Sequence, residues 1–113
     1  MGPKMKAPQN RFLLELEKFR YDINHAILKP RINNLTLEQL RPVLTAVAHA
    51  RADYAETLIK IGNTCKDSPP SDEQIEMLRA KREAFDELVA AANALETIIQ
   101  RDYVDVVSNK AGH

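Results

Sequence analysis

Tryptophan is missing from this 113-residue chain, and aromatic residues make up only 5% of it. A core cannot be built on large rings here, so it must be assembled from Leu, Ile, Val and Ala, which suits helices packed closely together. A single cysteine, Cys65, excludes an intrachain disulfide framework and a cysteine-based zinc site. Cys65 also has no histidine nearby in sequence and no resolving cysteine, which argues against a nucleophile. With three glycines there is no Gly-rich phosphate loop, and neither a Ser-His-Asp arrangement nor a nucleic-acid motif is legible. Net charge is absent as well, with 16 Lys and Arg balancing 16 Asp and Glu, so no global field draws the molecule onto nucleic acid or an anionic membrane. No apolar run reaches the roughly 20 residues needed to span a bilayer. The Lys- and Pro-containing start is not followed by the apolar segment of a signal peptide, so the expected location is the cytoplasm. Without a secretory route, the sequon Asn34-Leu35-Thr36 is a chance match.

What is present is helical periodicity. A hydrophobic content of 44% with 28% charged residues is ordinary for a folded chain of one domain. Residues 1–10 carry Gly2, Pro3 and Pro8 and read as a flexible arm, residues 11–107 as one helical domain, and residues 108–113 as a frayed end. From Arg11 to Leu28, Phe12, Leu16, Phe19, Ile23 and Ala26 recur at alternating steps of four and three, with Leu13 and Ile27 alongside. Lys29 precedes Pro30, which ends that helix. Thr36 with Gln39 forms a capping-box pattern, and Leu35 with Leu40 a hydrophobic staple, opening a second helix from Leu37 to about Ile61. Its stripe reads Leu40, Leu44, Val47, Tyr54, Leu58 and Ile61, with Arg51 in an apolar slot and Pro42 placed to kink or split the first turn. Gly62 and Asn63 read as its C-terminal punctuation.

The third segment, Ser71 to Val107, reads as one very long helix. Ser71 and Gln74 form a second capping box after Pro69 and Pro70, and Asp72, Glu73 and Glu76 sit where the helix dipole favours negative charge. Leu78, Phe85, Leu88, Ala92, Leu95, Ile99 and Val106 carry its stripe. The expected fold class is therefore all-α, an up-down-up three-helix bundle built on an antiparallel hairpin with a long C-terminal helix. In that hairpin, residues whose numbers sum to roughly 135 lie side by side, so Val47 faces Leu88 at about 1.5 Å of rise per residue. Helix 1 is expected to cover the later half of helix 2.

This geometry leaves two apolar zones without cover. At the hairpin tip they are Leu58, Ile61 and Met77; on the overhang of the long helix they are Ile99, Tyr103, Val104, Val106 and Val107. Both are candidate partner-binding surfaces. Two competing readings of the overhang are that the Arg31 to Leu35 turn folds over it, or that it leaves the helix, since Val-rich sequence is less comfortable there. The function expected from these surfaces is non-enzymatic protein–protein interaction, as an adaptor or regulatory protein that forms a homodimer through the long helix. Lys4, Lys6, Arg11, Lys18 and Arg20 supply the alternative, a basic arm and helix that associate with nucleic acid. A third reading takes His49 as a phosphotransfer residue, or Asp22 and His25 as half a metal site. Asp53 one turn beyond His49 would repel a phosphoryl group, and a bundle metal site needs more inward carboxylates than this chain shows. No cofactor and no catalytic residue is expected.

Overall fold

The structure, a computed structural model, describes residues 7–107. It is all-α, with helices α1 (Ala7–Leu28), α2 (Leu37–Cys65) and α3 (Asp72–Gln100), and no strand among the described residues. Residues 1–6 and 108–113, the greater part of the expected arm and the frayed end, lie outside the described residues. The rest of the expected arm is helical: α1 begins at Ala7 rather than Arg11, because a proline such as Pro8 is tolerated in a first turn, where its missing N–H has no helical acceptor. The chain divides into two units, Met1–Thr36 with Thr97–His113, and Leu37–Glu96.

In the second unit, α2 and α3 form an antiparallel hairpin. Its seam is read from the buried and half-buried positions. On α2 the repeating positions are Leu40, Val43, Val47, Ala50, Tyr54, Thr57 and Ile61, with Cys65 half-buried at the helix end, and on α3 Gln74, Leu78, Lys81, Phe85, Leu88, Ala92 and Leu95, with Val89 half-buried beside Leu88. Both sets alternate steps of three and four, the spacing that keeps an apolar stripe facing a partner helix. The expected register holds: Val47 and Leu88 line one groove, Tyr54 and Phe85 meet with ring centroids 6.1 Å apart, and the Asp53 carboxylate lies 4.0 Å from Lys81 Nζ. Of the expected α2 stripe, Leu40, Val47, Tyr54 and Ile61 lie in the seam and two residues do not. Leu44 and Leu58 are exposed, and Ala50 and Thr57 take the seam instead, because small side chains let two backbones approach more closely than leucines would. Arg51 is likewise exposed rather than buried, its guanidinium lying 5.2 Å from the centroid of the Phe85 ring.

Local rules set the helix ends. Ser71 N–H donates to Gln74 Oε1 at 2.8 Å and Gln74 N–H donates to Ser71 Oγ at 3.1 Å, the reciprocal capping box expected at the start of α3. Cys65 Sγ donates to that same Gln74 oxygen at 3.2 Å, joining the end of α2 to the start of α3. Pro42 does not split α2, which runs unbroken through it. Gly62 does not terminate α2 either. The helix continues to Cys65 and stops at Lys66, whose φ of 53° and N–H bond to the Gly62 carbonyl form a left-handed cap.

The largest departure is at the end of α3. The helix stops at Gln100, not Val107, with a double bond pattern: Tyr103 N–H to the Ile98 carbonyl and Asp102 N–H to the Ile99 carbonyl, both 3.0 Å, with Asp102 at φ 62°. This is a Schellman cap with aspartate in the position glycine usually takes. The β-branched residues beyond it leave the helix and turn into the first unit. There Leu35 N–H donates to the Asp105 carbonyl at 3.0 Å and Val107 N–H to the Leu35 carbonyl at 2.8 Å, forming a parallel bridge between Leu35 and Val106. Leu35, Tyr103 and Val104 are buried, Val104 to 1% exposure.

The helix interior at Gly62 and the small core around Val104 each predict a stability change. Gly62→Ala should stabilise the chain by about 0.5–1 kcal/mol, because a Cβ there meets nothing within 4 Å and the backbone is helical. Val104→Ala should destabilise it by about 2 kcal/mol through loss of buried methyls and the void left behind. Urea titration monitored by circular dichroism checks both.

Candidate partner interface

The first unit uses one side of α1 for its own packing. Along α1, Arg20, Tyr21, Asn24, His25 and Leu28 are half-buried. The Tyr21 ring meets Tyr103 at 6.0 Å and stacks on His25 at 5.2 Å, and Lys29 Nζ lies 3.5 Å from the Asp105 carboxylate. The chain after α3 is thus docked on a face defined by residues 21, 24, 25 and 28.

The opposite face of α1 is uncovered. Phe12 and Phe19 are each 64% exposed, Ile23 58% and Ile27 53%, with Leu13 and Leu16 near 40%. These are the residues whose spacing predicts a buried stripe. Taking about 150–200 Å² for each whole side chain, their open apolar surface is on the order of 500 Å². Exposed single leucines are ordinary, but a contiguous stripe of this size is what interaction surfaces carry. A shallow recess of about 410 Å³ lined by Pro8, Gln9, Phe12 and Leu13 continues the surface at the start of the helix.

The hairpin has apolar surface of its own. A groove of about 450 Å³ is lined by Pro42, Val43, Ala46, Val47, Leu88, Ala91, Ala92 and Leu95, and its floor is made shallow by the alanines. At the tip, Leu58, Ile59, Ile75 and Met77 are exposed, whereas Ile61 is buried at 7% inside the seam and offers no surface.

The overhang residues divide. Tyr103 and Val104 are buried within their own unit and Ile99 is half-buried, so none of the three presents the free helix face expected of it. Val106 and Val107 keep exposed side chains, although their backbone closes the bridge to Leu35. The two competing readings, posed as alternatives, are both realised: the chain leaves the helix after Gln100, and Leu35 of the 31–35 turn pairs with it.

Among the basic candidates, Lys4 and Lys6 lie outside the described residues, and Arg11 is exposed. Lys18 donates to Asp22 at 2.8 Å, and the carboxylate holds its ammonium above the ordinary lysine range. Arg20 is paired with Glu17. Both cations are thus engaged by carboxylates on their own helix. Asp22 is therefore spoken for by Lys18, and His25 is stacked on Tyr21 rather than facing a second ligand. His49 is exposed on α2. Among the described residues no group of three or more His, Cys, Asp or Glu side chains is placed to hold a metal ion, and no helix is long and apolar enough to cross a membrane. Comparison with known proteins finds no matching family model, no matching curated protein and no matching solved structure.

The open stripe is distinguishable from a core by substitution. Phe19→Lys and Ile23→Lys should each change unfolding free energy by no more than about 0.5 kcal/mol, as exposed positions do. A core position would lose several kcal/mol, and thermal melts of the two variants separate the cases.

Proposed function

We propose that this chain is a non-enzymatic interaction protein, an adaptor or regulator that binds another protein through the open apolar face of α1. The observation that carries this reading is the division of α1 into two faces. The tail after α3 packs on one, while the face with the more regular apolar repeat stands free. A helix that needed only one partner surface would not maintain Phe12, Leu16, Phe19, Ile23 and Ile27 in register on the other side, where water contact disfavours them.

Recognition would use the helix-in-groove or helix-on-helix mode, with anchors at steps of three and four and a polar rim supplied by Glu15, Arg20 and Asp22. Self-association through a long C-terminal helix is replaced in this reading, because that helix ends at Gln100 and Tyr103 and Val104 beyond it are buried.

Affinity capture from host extract, quantified by mass spectrometry, tests it: proteins held by the native chain should be lost by the Phe19→Lys/Ile23→Lys double variant at unchanged helicity. Collapse of the double variant's fold, which would make the stripe an internal core, overturns the reading.

A further inference from the structure

We infer that the occupant of the open α1 face is the α1 helix of a second copy, lying parallel and in register. This rests on the reading of that face as a binding surface and adds the identity and orientation of what covers it.

The seam has the pattern of a two-stranded coil. Phe12, Leu16, Phe19, Ile23 and Ala26 alternate steps of four and three, so in heptad terms Leu16 and Ile23 take position a and Phe12, Phe19 and Ala26 take position d. Leu13 and Ile27 then fall at e and broaden the seam on one side. Of the residues half-buried within the unit, Tyr21, Asn24, His25 and Leu28 fall at f, b, c and f, and Arg20 at e. Positions b, c and f are the outward positions of such a coil. The tail's contact with Tyr21 therefore leaves positions a and d of the seam exposed.

Charge beside the seam selects the orientation. Glu15 and Asp22 take position g and Arg20 position e. In a parallel pair a g residue faces the e residue five positions on in the other helix, so Glu15 meets Arg20 of the second copy, and symmetry repeats the pair. Asp22 meets Ile27, where no charge opposes it. In an antiparallel pair overlapping over the same stripe, g faces g, which sets Glu15 against Asp22 twice. The parallel arrangement has two attractions where the antiparallel one has two repulsions. Arg20 reaches Glu17 within its own helix in the single chain, a solvated pair that exchanges at little cost.

The stripe's area, on the order of 500 Å² per copy, falls below the about 800 Å² of a standard stable interface, so the dimer should be concentration-dependent over the micromolar range and above. Full-length protein with Cys65→Ser and Ala26→Cys should form a self-disulfide under mild oxidation, since d faces d in a parallel pair. Mixed with a Cys65→Ser/Phe12→Cys chain, it should give little of the mixed product. Sedimentation equilibrium should show a monomer–dimer equilibrium that Glu15→Arg weakens about tenfold and that Glu15→Arg/Arg20→Glu returns to near the native value.

A monomer at all concentrations up to about 1 mM overturns the second-copy assignment; a Phe19→Lys/Ile23→Lys chain that is still folded then leaves the binding-face reading standing. Predominant Ala26–Phe12 cross-linking overturns the parallel orientation. If Glu15→Arg perturbs α1 itself, seen as lost helicity, the cysteine pair decides alone, because it leaves every charge in place.

Discussion

The left-handed turn at Asp102 is the constraint on which the first unit depends. It stops α3 at Gln100 by satisfying the last carbonyls through Tyr103 and Asp102, and it redirects the chain so that Tyr103 and Val104 become buried. Without that turn the valine-rich residues would continue along the helix axis and expose their apolar side chains on several sides. With it, the Asp105 carbonyl and the Val107 N–H reach the backbone of Leu35, and Tyr103 reaches Tyr21 on α1. An aspartate in αL geometry costs more than glycine would, so the conformation is maintained by the contacts of residues 103–107: a buried valine, a buried tyrosine and two backbone hydrogen bonds.

The same docking decides which face of α1 is left for a partner. Tyr103 and Asp105 engage residues 21 and 29, and the face carrying Phe12, Phe19 and Ile23 remains open. Interaction surface and internal contact are thus two consequences of one chain reversal. The hairpin obeys a different logic. Its seam mixes Leu and Val with Ala50, Ala92 and Thr57, which brings the helices near one another and leaves Leu44 and Leu58 as exposed flanks. Polar residues at its tip are tied down by the Ser71–Gln74 box and by Cys65, which shares the Gln74 oxygen.

Much of the helical layout is legible from local chemistry. The Ser71–Gln74 box, the Pro30 stop and the 135-sum register of the hairpin depend only on residues close in sequence or on helix rise, and all three are realised. Hydrophobicity alone places Leu40, Val47, Tyr54 and Ile61 correctly in the α2 seam but adds Leu44 and Leu58 in place of Ala50 and Thr57, because it ranks leucine above alanine whereas close packing of two backbones favours the smaller residue. Gly62 has the look of a helix end, yet Lys66 takes the left-handed position; glycine permits a cap but does not demand one. Of the residues expected to meet a partner, Leu58, Met77, Val106 and Val107 are exposed, while Ile61, Tyr103 and Val104 are interior. The α1 stripe has the pattern of a core face and is open. Periodicity identifies an apolar face but cannot say whether its partner is in the same chain.

Sequence by itself determined that this protein is all-α, where α2 and α3 begin, and that those two helices fold back on one another, since caps, periodicity and a short connection act over a few residues. Only the tertiary structure decided where α3 ends, which valines are buried and which face of α1 is open. Those outcomes depend on Leu35 meeting Val106 and Tyr21 meeting Tyr103, contacts between residues far apart in the chain that local helix propensity does not encode.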